Sequence, residues 1–438
     1  MHRYDFSLAR KLSHPLVLTF AFAILTLASS LSAYAQTETV IYNFVSPGHD
    51  GHTPQAGVVF DAAGNLYGTT IIGGTHNFGT VFELSPVAGG GWSEIVIHSF
   101  TGGFDGGDPF AALTLDAAGN LYGITEVGGA HDNGTVFEFS PVSGGGWHET
   151  VLHSFTGGLD GQDPLGSLVF DAAGNLYGTA ANGGAHGNGN VFELSPASGG
   201  LWRETVLHSF TGGTDGGAPV SNLVFDAAGN LYGTTEGGGI AADCSFAGRN
   251  GCGVVFELSP VSGGWHETVI HAFHGTDGAF PLAGLAFDAA GNLYGNTFEG
   301  GTLTDCPTYY GCGVLFQLSP GAGGGWHETV IHAFTGSSDG AIPVATPAVD
   351  SLGNVYGTAE LGGDTTVSGC NPNGCGVVFE YSPASGGGWT QTILHPFAPI
   401  PDGSIPSSTP VFDSSGNLYG TTRGDGDFGQ GTVFEITP

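Results

Sequence analysis

Three sets of residues in this 438-residue chain have types and spacings suited to chemistry. The first is a set of carboxylates. Asp-Gly-x-x-Pro recurs with Asp50, Asp105, Asp160, Asp215, Asp277, Asp339 and Asp402, each four residues before a proline. An Asp-Gly turn accounts for every copy, because Asp bonds nearby backbone and Gly adopts positive φ. Gathered around one central mouth, the seven would instead attract Ca2+, an oxygen-seeking cation, or a cationic ligand. The second set is one histidine per repeat: His98, His153, His208, His271, His332 and His395. Zinc needs three or four ligands converging on one point, and one histidine per repeat keeps these six apart, which favours packing. The third set is six cysteines in three local pairs, Cys244 with Cys252, Cys306 with Cys312, and Cys370 with Cys375. None forms Cys-x-x-Cys, so three loop disulfides are expected in place of metal ligation.

Motifs for catalysis are missing. The chain has no His-Glu-x-x-His and no Gly-rich phosphate loop opening a helix, and its one Gly-x-Ser-x-Gly string, at 336–340, falls on a copy of the Asp-Gly turn and makes no nucleophile elbow. The recurrent Ser-Pro serines have no unique base beside them. No cofactor is implied beyond a Ca2+ ion at the Asp ring.

The ends set the compartment. Arg3, Arg10 and Lys11 precede an apolar run at 16–31, and Ala33-Tyr34-Ala35 offers a small-x-small cleavage site before Gln36. This pattern reads as a secretory signal peptide over 1–35, leaving 36–438 as one exported domain. No other stretch is apolar enough to span a bilayer. The chain as a whole carries a net charge of −33. Within 36–438 only Arg203, Arg249 and Arg423 oppose 38 acids, a net of −35. Phosphate backbones are held by Lys and Arg, so nucleic acid is excluded as a partner. A secreted, periplasmic or cell-surface location suits both the leader and the cysteines.

The elements that must position these residues come from a repeat. Asp-x-x-Gly-Asn begins at Asp61, Asp116, Asp171, Asp226, Asp288, Asp350 and Asp413, with spacings of 55, 55, 55, 62, 62 and 63. Each unit holds four short runs rich in β-branched and aromatic residues: a (LVFD), b (NLYGT), c (VFELS) and d (ETVLHSF). Gly, Pro, Asn and Asp clusters separate them, which is strand punctuation, and no helical period is sustained. Seven four-stranded antiparallel units without helices predict an all-β, seven-bladed β-propeller. "TETVIYNF" at 37–44 matches the d run "HETVLHSF", while the chain ends on a c run. Strand 37–44 is therefore expected to complete the last blade and close the ring as a monomer, removing exposed edges.

The "NLYGTT…GG…GTVFEL" core resembles the GloVer (Gloeo/Verruco) tandem repeat of exported bacterial proteins, over essentially all of 36–438. More distantly, the strand order is similar to NHL and kelch propellers. The GloVer resemblance implies an extracytoplasmic protein and no particular activity.

Most recurring residues have architectural explanations. The Asp of each Asp-x-x-Gly-Asn turn can accept backbone N–H groups. The Gly of strand b marks close approach by a neighbour. Trp92, Trp147, Trp202, Trp265, Trp326 and Trp389 start strand d and pack between blades. The a-to-b and c-to-d loops are monotonous, whereas length variation and all six cysteines fall in b-to-c loops. Recognition concentrates in variable loops on a rigid frame. Phe246, Arg249, Tyr309, Tyr310 and Arg423, all on b-to-c loops, are thus the candidate binding residues. The expected role is a non-catalytic binding or scaffold module for an extracellular protein or polysaccharide. The alternative is a calcium-assisted hydrolase or lactonase acting at the central mouth.

Overall fold

Each repeat begins with a turn built from its own side chains. Asp61 Oδ1 accepts from the backbone N–H groups of Ala63 and Asn65 at 2.8 and 2.9 Å, and Oδ2 accepts from Asn65 Nδ2 at 2.8 Å and the Tyr67 hydroxyl at 3.2 Å. The same bonds recur from Asp171 and from Asp413. This fixes the hairpin joining strands a and b, and the Tyr67 bond ties the turn to strand b. The computed structural model in which these bonds are seen describes residues 36–45, 50–239, 244, 250–301, 306, 310–370 and 373–437.

Seven four-stranded antiparallel sheets follow one another, and no helix occurs among the described residues. Blade two is representative: Thr114–Leu115, Leu121–Thr125, Thr135–Pro141 and Trp147–Ser154 pair in sequence order. Strand b is almost wholly buried, as in Leu66–Thr70. Its glycine is required: a Cβ on Gly68 would lie 2.5 Å from the ring of Phe82 in strand c. Among the described residues, no helix is long and apolar enough to cross a membrane.

Strand a is shorter than the sequence suggests, two residues in every blade. The carbonyls before it are taken by the neighbouring blade. Thr69 Oγ1 donates to Ala111 O at 3.1 Å, Thr179 Oγ1 to Ser221 O at 3.0 Å and Thr358 Oγ1 to Ser408 O at 3.0 Å. Strand-b threonines thus bind one blade to the next at small radius. Farther out, Tyr67 meets Trp147 edge-on at 5.8 Å, and Phe100 meets Phe137 at 5.3 Å. The Tyr–Trp contact recurs between Tyr122 and Trp202, Tyr177 and Trp265, Tyr232 and Trp326, and Tyr294 and Trp389. Such edge-to-face pairs add roughly 0.5–1.5 kcal/mol beyond burial.

The N-terminal strand Thr37–Asn43 pairs antiparallel with Thr432–Thr437, from Thr37 opposite Thr437 to Asn43 opposite Thr432. It occupies the strand-d position of blade seven. At the same seam, Thr421 Oγ1 donates to Ala56 O at 3.0 Å and Phe44 packs on Phe82 at 5.2 Å. Trp92 and Tyr419 repeat the Tyr–Trp contact there.

A chain beginning at Val45 would leave Thr432–Thr437 with an open edge and delete the buried Phe44. Its melting temperature should fall by 10 °C or more, and the exposed edge should promote self-association. Calorimetry and light scattering measure both. Unchanged melting with a monomeric profile would show that the ring holds without this strand.

Candidate functional site

The carboxylates that open the sequence reading lie between blades. In six of the seven interfaces a strand-d histidine faces the Asp of the Asp-Gly turn that follows it. His98, His153, His208, His271, His332 and His395 present Nε2 to Asp105, Asp160, Asp215, Asp277, Asp339 and Asp402 at 3.1, 3.4, 3.5, 3.2, 2.9 and 3.1 Å. At the seam, Tyr42 replaces histidine and donates to Asp50 Oδ2 at 3.1 Å. Backbone N–H groups add to this hold, Thr101 N donating to Asp105 Oδ2 at 2.8 Å. The seven aspartates serve the Asp-Gly turns favoured from the sequence and do not converge on a central mouth, the alternative raised there. Each is turned onto its own partner, and no three-ligand cluster among the described residues contains two of them. The pairing joins residues six or seven apart across the end of strand d, a spacing that no strand periodicity advertises.

A third group joins six of the seven interfaces from the next blade. Glu38, Glu94, Glu149, Glu204, Glu267 and Glu328 bring buried Oε1 atoms that find no hydrogen-bond partner. Burial, with the nearby aspartates adding to it, pushes the Glu94, Glu149, Glu204 and Glu267 carboxyls up to about 7. Asp339 moves the other way, to about 2. Burial opposes that shift but is outweighed by hydrogen bonds from His332, Thr335 and Ser337.

The mouth of the ring is built by a different device. The residue before each recurring proline has positive φ, between 53° and 62°: Thr53, Asp108, Asp163, Ala218, Phe280, Ile342 and Ile405. A left-handed non-glycine residue costs about 1–3 kcal/mol and persists only where its surroundings over-determine it. Here its N–H donates to a b-to-c loop of the preceding blade: Asp108 to Phe78 O at 2.9 Å, and Phe280, Ile342 and Ile405 to the carbonyls of Cys252, Cys312 and Cys375 at 2.8, 2.8 and 2.9 Å. Its carbonyl accepts from the residue just after strand b of its own blade, from Glu126 N at 3.1 Å, Phe298 N at 3.0 Å and Glu360 N at 3.1 Å. The strained residue thereby aligns the position that faces the mouth. Disulfides Cys244–Cys252, Cys306–Cys312 and Cys370–Cys375 are formed, as the sequence spacing predicts, and anchor the bridged loops beside this ring.

A cavity of about 720 Å³ occupies the ring centre. Its wall comes from the chain after each proline, with Phe110, Leu165, Val220, Leu282 and Val344 supplying apolar surface. Glu236, Phe298, Glu360 and Arg423 reach it from the ends of strand b. Arg423 lies 3.7 Å from Glu360. Burial pushes the Glu360 carboxyl up, and Arg423 partly opposes this. Deeper in, Asn222 Nδ2 donates to Thr346 Oγ1 at 3.2 Å, and Gly284 N donates to the same hydroxyl at 2.9 Å. A side chain on Gly284 would collide with both, its Cβ lying 2.8 Å from Thr346 Oγ1 and 3.0 Å from Asn222 Cγ. On blades two and three, burial raises Glu126, and Asp163 and Asp108 add to the effect.

Of the sequence candidates, Arg423 lies in the cavity wall, and Tyr310 is half-buried on its bridged loop, with its carbonyl accepting from Gly300 N at 2.8 Å. Phe246, Arg249 and Tyr309 lie outside the described residues. Sequence reasoning missed the cavity residues Glu236, Phe298 and Glu360. Their signal was present: the residue after strand b reads Ile71, Glu126, Ala181, Glu236, Phe298, Glu360 and Arg423, while the four before it hardly change.

The profile of the Gloeobacter/Verrucomicrobia repeat matches residues 27–246, 202–370 and 243–438. No curated relative matches the sequence. Among solved structures, a Trichoderma reesei carbohydrate-active enzyme of family AA12, in a calcium structure, is 13% identical with a TM-score of 0.43, covering 92% of this chain and 96% of its own. A putative oxidoreductase (glucose dehydrogenase) from Thermus thermophilus is 18% identical with a TM-score of 0.44, covering 75% and 96%. The polysaccharide lyase Uly1 is 13% identical with a TM-score of 0.49, covering 90% and 92%. Likenesses of this size bear on neither activity nor ligand.

The raised glutamates give stability a pH dependence. A carboxyl at about 7 in the fold and 4.5 unfolded contributes stability fully below pH 4.5, lost as pH rises through 7. His208, lowered by burial despite Asp215, works in the opposite sense below its unfolded value of 6.5. Between pH 8 and 6.5 the glutamates dominate, so the melting temperature should rise on acidification. Glu204→Gln with Glu267→Gln should melt a few degrees higher than wild type at pH 8 and respond less to pH. A calorimetric pH series reads both effects; a wild-type melting temperature flat or falling from pH 8 to 6.5 would contradict them.

Proposed function

The chain belongs to the Gloeobacter/Verrucomicrobia repeat family, and from that premise we propose an exported, non-catalytic propeller that binds a polymer of the cell exterior at its b-to-c face. The observation carrying the reading is where the repeat is broken. Turns, flanks and strands are near-copies from blade to blade, whereas the position at the end of strand b varies, and four of its seven residues, Glu236, Phe298, Glu360 and Arg423, line the central cavity. Variation confined to one concave surface of a rigid frame is the pattern of a binding site.

A polysaccharide suits the lining. Phe110 and Phe298 offer flat apolar surfaces, and Asn222, Thr346, Glu236 and Glu360 offer the amide, hydroxyl and carboxylate groups that bond sugar hydroxyls. Residues 1–35 serve as the export signal in this proposal, and the three disulfides suit an extracellular or periplasmic environment. The calcium-assisted hydrolase loses its premise, since the Asp-Gly carboxylates are committed to His98 and its equivalents.

A glycan and exoprotein array probed with the protein, with and without Ca2+, tests this reading. Phe298→Ala and Glu236→Gln should each weaken a true ligand about tenfold, roughly 1.4 kcal/mol, with little change in melting. Tyr310→Ala separates cavity recognition from recognition by the bridged loops. A ligand indifferent to all three variants, or one released in altered form by turnover, would overturn the proposal.

A further inference from the structure

Five blade interfaces combine His, Asp and Glu, yet only two bring all three ligand atoms within 4.8 Å of one another among the described residues: His98 with Asp105 and Glu149, and Glu38 with His395 and Asp402. We propose that these two clusters bind a divalent transition-metal ion of the zinc type, each ion stapling one blade to the next.

The distances fit. His98 Nε2 lies 3.1 Å from Asp105 Oδ2 and 3.6 Å from Glu149 Oε2. Ligands at about 2.0–2.2 Å from a tetrahedral ion stand roughly 3.3–3.6 Å apart, so an ion enters between these atoms with small side-chain adjustment. His395 Nε2 to Asp402 Oδ2 repeats the 3.1 Å edge. The donor set argues for zinc and against calcium, which takes six or more oxygens and does not use imidazole. Three protein ligands leave a fourth position for water. Oε1 of Glu149 and of Glu38 are buried without a hydrogen-bond partner, as are those of Glu94, Glu204, Glu267 and Glu328, so what singles out these two interfaces is the convergence of the ligand atoms. The aspartate is already oriented from behind by Thr101 N at 2.8 Å, the outer support that ligating carboxylates ordinarily have.

Position gives the ions a structural role. Asp402 leads into blade seven, Glu38 sits on the strand that completes it, and His395 belongs to blade six. An ion there rivets the N-terminal strand to the body of the ring. The second ion joins blades one and two. The two interfaces flank the seam, where Tyr42 in place of histidine leaves a hydroxyl–carboxylate hydrogen bond. At the interface of blades five and six, Gln391 stands where the others have glutamate and donates to Asp339 O at 3.0 Å, so that site lacks the third ligand.

Tag-free protein, chelated, re-equilibrated with micromolar zinc and desalted, should retain two equivalents by elemental analysis and melt several degrees higher than the chelated form. Glu149→Gln and Glu38→Gln keep the side-chain shape and should each lose one equivalent. Glu204→Gln, at an interface with the looser His153–Asp160 pair, should retain two. Fewer than one equivalent bound by wild type, or two retained by both Glu149→Gln and Glu38→Gln, would overturn the proposal.

Discussion

Everything in this ring depends on how one blade's flank is buried against the next. A single four-stranded sheet of this sequence has both faces apolar and cannot be stable in water. The contact is layered by radius. Strand-b threonines bond inner carbonyls of the neighbour, Tyr–Trp and Phe–Phe edges pack farther out, and the His–Asp–Glu groups fill the interface at the end of strand d. Because each layer recurs, a sevenfold ring follows from one solution, provided the last interface closes. The strand Thr37–Asn43 supplies that closure from the opposite end of the chain.

Repetition also separates scaffold from function. A residue that answers the same packing demand in every blade carries little information about a ligand, and the Asp-Gly aspartates are the instructive case. Seven identical acids look like a designed ring of charge, yet each neutralises a local need at its own interface. Information resides where neighbouring copies disagree, as they do at Glu126, Glu236, Phe298, Glu360 and Arg423. The left-handed residues before the prolines serve those positions without choosing them, since the same conformation holds Thr53, Asp108 and Ile342 alike.

Much of the fold was legible because the repeat displays its own punctuation. Asp61 and its copies mark hairpins, the strand-b glycine marks the approach of Phe82, and the match of 37–44 to a d strand reveals the closure. The cysteine pairing was equally readable from loop length. What stayed hidden involves residues brought together from different repeats. Nothing in the spacing of His98 and Asp105 announces that Glu149 will join them, because the partner depends on how adjacent blades dock. The cavity wall was missed for a related reason: it is assembled from a few residues of each blade, and each group lies far in sequence from the next. Arg423 was found because it is chemically rare in so acidic a chain, whereas Glu236 and Glu360 were lost among many acids.

The central claim is that the repeated architecture is frame and the broken positions at the end of strand b are the recognition surface. Hydrogen–deuterium exchange of the protein with a ligand drawn from the array addresses it directly. The account predicts protection in peptides covering 234–238, 297–301, 358–362 and 421–424, with the a-to-b turns at 61–65 and the c-to-d loops at 87–91 unchanged. Protection confined to those turns and loops, on the opposite face of the ring, would contradict it.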